Sequence, residues 1–259
     1  MDMPPVSALS GRRILVTRAA GQAAPTTALI RAHGGEAVLL PCLEVACLPE
    51  AIRGATPELA DPGIDIAFTS VNGVRCVAEA LQPAERERLG AHRLAAVGDK
   101  TAAALAEYGW HAAIVAATAS QDGLIDAYRD HGLPTRLLLF RAAEGRDILP
   151  HWLRTQGIGV SIVHAYRTVC PGGDASAVVA ELRAGRIDAV LLGSPKTAAC
   201  YLERIGDAEL AGRPVLVAIS DDVARAAERL GLGVQVVASS ASFSSMLDAL
   251  ARHYQTSME

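Results

Sequence analysis

The sequence predicts an α/β fold made of two similar doubly wound parallel-sheet domains joined by a two-stranded linker, with a ligand cleft between them. Three observations predict it. The chain repeats itself once, apolar β-rich runs alternate with helical segments through both copies, and one extended stretch ending at proline interrupts that alternation in each copy.

The repeat is read directly. Arg13-Ile-Leu-Val-Thr-Arg18-Ala-Ala, followed by Arg31-Ala-His-Gly34, returns 123 residues later as Arg136-Leu-Leu-Leu-Phe-Arg141-Ala-Ala, followed by Arg154-Thr-Gln-Gly157. Asp65-Ile-Ala-Phe-Thr-Ser70 answers to Asp188-Ala-Val-Leu-Leu-Gly-Ser194, and Cys76 and Glu79 to Cys200 and Glu203. Asp99, Gly109, Ser120 and Asp126 then match Asp221, Gly231, Ser242 and Asp248.

In chain order the first copy reads as strand 13–17, helix 22–33 closed by Gly34-Gly35, and strand 37–40. Strand 65–69, helix 73–81, strand 94–97, helix 100–108 closed by Gly109, strand 112–116 and helix 121–130 follow. The second copy repeats the order with strand 136–140, helix 146–156, strand 160–164, helix 175–184, strand 188–192, helix 196–204, strand 215–219, helix 222–230, strand 234–238 and helix 243–253. Such alternation calls for parallel sheets covered by helices on both faces.

Pro41-Cys-Leu-Glu-Val-Ala-Cys-Leu-Pro49 reads as extended and not followed at once by a helix, and His164-Ala-Tyr-Arg-Thr-Val-Cys-Pro171 has the same character. Side by side they form a hinge, with linkers at 41–48 and 165–171. The expected domains are then a discontinuous one, 1–42 plus 170–259, and an inserted one, 47–165.

Composition narrows the function. With 24 basic and 28 acidic residues, a net charge of −4 and no basic run, the chain has no footprint for nucleic acid or a membrane surface. Five cysteines, odd in number and without metal-ligand spacing, suit a reducing compartment better than a disulfide framework. Met1-Asp-Met-Pro-Pro lacks a basic or apolar leader, and no run approaches a membrane span, so the expected location is the cytoplasm. No long apolar helix face asks for a partner, which predicts a monomer. The seven histidines are scattered without helical metal-site pairing, and no metal is expected.

Ligands of doubly wound sheets sit at the carboxyl ends of strands, where helix N-termini offer free N–H groups. The turns there are Thr17-Arg18, Thr69-Ser70-Val-Asn72-Gly73, Val97-Gly98-Asp99-Lys100-Thr101, Arg141-Ala-Ala-Glu-Gly145-Arg146, Gly193-Ser194-Pro195-Lys196-Thr197 and Ser220-Asp221-Asp222. Each alone is also an ordinary helix cap. Arg18 and Arg141 hold equivalent places, one residue past an apolar strand, as anion binders or as structural ion pairs. Arg146 and Lys196 stand near helix starts, where an anionic ligand would offset their charge. Nucleotide, hydrolase and metalloprotease signatures are missing, so the expectation is a cofactor-free cleft for a polyanion. Tyr166 is the one phenol on the proposed hinge, as a general acid or as a packing residue.

On these residues the chain resembles the uroporphyrinogen-III synthase family over essentially its whole length. Ile14-Leu-Val-Thr-Arg18 with Gln22, Phe68-Thr-Ser70-Val-Asn72, Val97-Gly98-Asp-Lys-Thr101-Ala, Ala165-Tyr166-Arg167-Thr168 and Leu192-Gly-Ser194-Pro195 carry the likeness. The resemblance implies cyclisation of the linear tetrapyrrole hydroxymethylbilane to uroporphyrinogen III, with inversion of ring D and loss of water, without metal or organic cofactor. It implies catalytic roles for Tyr166 and Thr101 and puts Ser70, Gly98 and Ser194 at turns that line the substrate; Arg18, Asn72, Arg141, Gly145, Arg146 and Lys196, read from their places in the turns, complete the expected substrate-binding set. Ser220-Asp221-Asp222 departs from the family's Gly-Pro-Thr-Thr and would repel a polycarboxylate if it faced the ligand. That departure keeps open an alternative, a weakened synthase-like module that binds a tetrapyrrole or regulates.

Overall fold

The computed structural model describes residues 8–256, so the opening Met1-Asp-Met-Pro-Pro lies outside the described residues. The strands are β1 (Arg13–Val16), β2 (Glu36–Leu39), β3 (Glu44–Cys47), β4 (Ile64–Phe68), β5 (Leu94–Ala96), β6 (Ala112–Val115), β7 (Arg136–Ala142), β8 (Gly159–Val169), β9 (Ala189–Leu192), β10 (Val215–Ala218) and β11 (Val236–Val237). The helices are α1 (Ala23–Ala32), α2 (Pro49–Gly54), α3 (Val71–Ala80), α4 (Pro83–Gly90), α5 (Asp99–Glu107), α6 (Gln121–His131), α7 (Ile148–Thr155), α8 (Ser176–Arg183), α9 (Pro195–Ile205), α10 (Ala208–Ala211), α11 (Asp221–Glu228) and α12 (Phe243–Thr256).

The chain divides into two compact units, Met1–Glu44 with Val169–Glu259, and Val45–Thr168. The first holds a five-stranded sheet, β11-β10-β9-β1-β2, in which every described pairing is parallel. Its alternate residues feed two cores. Leu15, Val190, Leu192 and Leu216 point to one face, and Ile14, Val16, Leu191 and Val217 to the other.

The second unit holds a six-stranded sheet, β3-β8-β7-β4-β5-β6. Ile64, Ile66, Phe68, Leu138 and Phe140 face one core, and Ala67, Ala95, Leu137 and Leu139 the other. Every residue of β4 is buried, as a central parallel strand under two helical layers requires.

The two sheets share one strand order with exchanged halves. Each takes its first two strands from one sequence copy and its last three from the other: β1 and β2 lie beside β9–β11, and β7 and β8 beside β4–β6. In its own chain order the first sheet runs 2-1-3-4-5, with its switch point between β1 and β9; the second runs 3-2-1-4-5 from β6 to β8, with its switch point between β4 and β7 and β3 added at the edge. Gly34 and Gly157 close equivalent helices at φ 78° and 77°, a left-handed conformation that a side chain resists.

Several expectations need correction. Pro49 does not simply end an extended stretch: it opens α2 at once, because its fixed φ and missing N–H suit the first helical position. Helices α4 and α10 were not expected from the pattern, being short and, in α4, largely polar. Strand β11 is shorter than 234–238, since the Gln235 side chain takes the Leu216 N–H at 2.7 Å in place of a ladder bond. The extended stretches lie side by side as β3 and β8 at the edge of the second sheet, with the Leu48 amide bonded to the Ala165 carbonyl at 2.9 Å.

The expectation that the cysteines form no disulfide framework is also overturned. Cys47 is disulfide-bonded to Cys76 and Cys170 to Cys200, with Cα atoms 5.4 and 5.2 Å apart, while Cys42 is free and buried. Partners 29 and 30 residues apart carry no spacing signal; packing of a helix against an extended segment joins them.

Candidate active site

In the second unit the expected residues gather at the carboxyl ends of β4, β5, β7 and β8. Ser70 ends the β4 turn in extended backbone, and its Oγ accepts the Gly73 amide at 3.0 Å, capping α3. The Tyr166 hydroxyl lies 2.9 Å from the same Oγ. Tyr166 reaches it through a slip in register: Arg141 pairs with His164, but Ala142 pairs with Tyr166, so Ala165 is one residue extra. Ala165 and Tyr166 consequently join the same core, with Phe68 and Phe140, where unbroken strand alternation would send one of them to the opposite face. Tyr166 retains 8% exposure.

Asn72 is half-buried in the first turn of α3, and Gly98 precedes α5. A Cβ on Gly98 would lie 3.2 Å from the Ala119 methyl, so the bare backbone admits a close turn. Thr101 is 4% exposed, packed into the unit behind that turn rather than presented at its surface. Its amide donates to the Gly98 carbonyl at 3.0 Å.

Of the two readings of Arg141, the geometry favours the structural ion pair. The residue is 5% exposed; its Nη2 pairs with Asp147 at 2.8 Å and its Nη1 donates to the Arg146 carbonyl. It thereby pins loop 142–147, whose Gly145 is needed because a Cβ there would come within 3.1 Å of the guanidinium. The same loop explains why α7 starts at Ile148 and not at 146. Gln121 holds it from α6, donating to the Arg146 carbonyl at 2.6 Å and accepting the Leu149 amide at 2.9 Å. The Arg146 side chain is exposed.

In the first unit the corresponding switch point carries Arg18, Ser194 and Lys196. The Ser194 Oγ accepts the Thr197 amide at 3.1 Å and lies 2.8 Å from the Thr197 hydroxyl, capping α9, with Lys196 exposed in its first turn. Arg18 lies 4.4 Å above the Phe243 ring and donates to Gln22 at 3.1 Å. A Cβ on Gly193 would come within 2.9 Å of that ring, so glycine lets Phe243 seat under the turn. Phe243 was missed because its repeat partner is Gln121, which is not aromatic. Asp222 at the start of α11 forms an ion pair with Arg225, and Asp221 is exposed beside it. Both suit a helix start.

A groove of about 810 Å³ between α6 and α7, with Ile125, Ile148 and Trp152 in its lining, includes none of the expected site residues except through the neighbouring loop at Asp147. Cys170, Cys200 and Glu203 offer ligand atoms within 4.8 Å of one another, but the two sulfurs are bonded together. No described helix is long and apolar enough to cross a membrane.

Comparison with known proteins gives the family and the fold. The family profile described as Uroporphyrinogen-III synthase HemD matches residues 24–248. A uroporphyrinogen-III synthase of Synechococcus elongatus is 31% identical over 196 residues, 73% of each chain. A putative uroporphyrinogen-III synthase of Methanothermobacter thermautotrophicus is 32% identical over 192 residues, covering 70% of this chain and 73% of the relative. Among solved structures, the uroporphyrinogen-III synthetase of Helicobacter pylori aligns with TM-score 0.60 at 17% identity, over 93% of this chain and 99% of its own, a likeness of fold.

Proposed function

The chain belongs to the uroporphyrinogen-III synthase family and is an enzyme of tetrapyrrole biosynthesis, and we propose that it cyclises hydroxymethylbilane with Tyr166 as the acid that releases the substrate's hydroxyl. The observation that carries this assignment is the Tyr166–Ser70 contact at the switch point of the second sheet. Ser70 Oγ already accepts the Gly73 amide, so its own proton is available for the tyrosine oxygen. The phenolic proton is then left for the ligand.

Protonation lets the hydroxyl depart as water and leaves an azafulvenium cation, reactive without further help. The proton shed when ring D regains its pyrrole form returns to the phenolate, so the enzyme ends as it began. Orientation is the larger task, because spontaneous closure gives the uninverted isomer. Eight substrate carboxylates call for N–H groups and cations. In this reading the capped turns at Ser70 and Ser194, the Asn72 and Gly98 turns, and Arg18, Arg146 and Lys196 supply them. Arg141 and Gly145 shape the loop that presents Arg146, and buried Thr101 sets the α5 turn. The proposed setting is a cytoplasmic monomer without metal or organic cofactor.

Supplying hydroxymethylbilane to the purified protein and separating the product isomers tests this. Type III product is expected; type I alone defeats the assignment.

A further inference from the structure

The chain passes between its units twice, and a bonded cysteine follows each passage. It enters the second unit at Val45, and Cys47 is bonded to Cys76 of α3; it re-enters the first at Val169, and Cys170 is bonded to Cys200 of α9. These pairs are copies of each other, Cys170 lying 123 residues after Cys47 and Cys200 lying 124 after Cys76. Each ties a crossing segment to the unit it has just entered. The helices holding the far ends are those capped by Ser70 and Ser194 at the candidate site.

Accessibility is matched too. Cys47 and Cys170 are half-buried, whereas Cys76 and Cys200 have no exposed surface. The fifth cysteine is set apart: Cys42 is buried, its thiol pushed up to about 12 by burial, and it donates to the Leu40 carbonyl at 3.2 Å. A metal role does not repeat in the same way. Glu203 reaches the second pair, but Glu79 lies 3.8 Å from Arg75, so the copies share two sulfurs and not a ligand trio.

We propose that the two cysteine pairs form a matched thiol–disulfide switch on turnover, in which oxidation fastens both crossing segments and reduction releases them. The turnover part rests on the synthase reading above; the fastening part does not. Reduction begins when a thiolate of a small dithiol attacks the accessible sulfur of Cys47 or Cys170, forming a mixed disulfide and expelling Cys76 or Cys200. The reagent's second thiolate attacks its own bound sulfur, frees the cysteine and closes as a cyclic disulfide. Each pair takes up two electrons and two protons, and the reagent loses them. Because the far ends of both bonds sit on the helices whose capped turns form the candidate site, releasing them lets those turns adjust to the substrate, and the reduced form is the faster one.

The test equilibrates the full chain in reduced or oxidised dithiothreitol, quenches with acid, and alkylates after unfolding to count thiols by mass. One thiol is expected in the oxidised form and five in the reduced, since Cys42 is always free. Reduced protein is expected to convert hydroxymethylbilane roughly threefold faster and to be cut sooner by proteases at Glu44 and Arg167, which lie at the two crossings. The variant C47S/C170S, changed at the half-buried positions, is expected to behave as reduced protein in both buffers. Five thiols in the oxidised buffer, equal cleavage and turnover in both states, or a variant that still responds to oxidation each overturns the switch. If neither form yields type III product, the synthase reading falls and the turnover part with it, while the cleavage pattern still decides the fastening.

Discussion

The hydroxyl of Tyr166 and the Oγ of Ser70 lie 2.9 Å apart, although 96 residues separate them in the chain. Ser70 serves two partners at once, a helix amide and a phenol. Substitution at either residue should therefore be felt at the other. Tyr166→Phe is expected to lower kcat by about 100-fold, in the range of general acid catalysis, with KM little changed. Ser70→Ala is expected to lower kcat less and to cost about 1 kcal/mol of stability through the lost cap. Steady-state kinetics of the double variant should match Tyr166→Phe alone, and independent, multiplying losses would separate the two residues.

Arg141→Met tests the structural reading of a buried arginine. It removes the ion pair to Asp147 and the bond to the Arg146 carbonyl, and is expected to cost about 2 kcal/mol in urea unfolding. A stability close to the parent's, with KM strongly raised, would return Arg141 to the ligand.

Arg18→Ala and Lys196→Ala probe the first unit's half of the proposed site. Each is expected to raise KM for the octacarboxylate about fivefold at low salt, and added salt should narrow the difference from the parent by screening. KM values that stay at the parent's across salt concentrations would remove both residues from binding.

Glu181 gives a prediction in acid. Hydrogen bonds from Arg186 and Arg13 hold its carboxyl down to about 2, against an ordinary 4.5. A depressed folded-state value means that its contribution to stability is present above about 4.5 and fades as pH falls toward 2. Thermal unfolding of Glu181→Gln against the parent should differ most above that window and converge below it. A constant difference through pH 2–4.5 would show that ionisation of Glu181 does not govern the effect.

Periodicity and repetition made the sheets legible, because buried parallel strands such as Ile64–Phe68 and helices closed by Gly34 or Gly157 leave local marks. Roles at the site were less legible. Arg18 and Arg141 occupy equivalent sequence positions, yet one lies over Phe243 and the other is sealed beneath a loop, a difference set by partners elsewhere in the chain. The slip at Ala165 that aims Tyr166 depends on register with Arg141 and Ala142, which strand alternation alone does not reveal. The cysteine pairs were recoverable: Cys47 and Cys170 repeat as faithfully as Cys76 and Cys200, but the odd count argued against bonding.

The exchange of halves between the sheets orders the birth of the protein. By the time residue 169 has left the ribosome, all strands from β4 to β8 are present and the second unit can assemble while the rest is still being made. Strand β1 is made well before β9, the neighbour it meets at Leu15 and Val190, and must wait for it. During that interval the edge of β1 opposite β2 is exposed, a strand edge that a chaperone would cover until β9 is made.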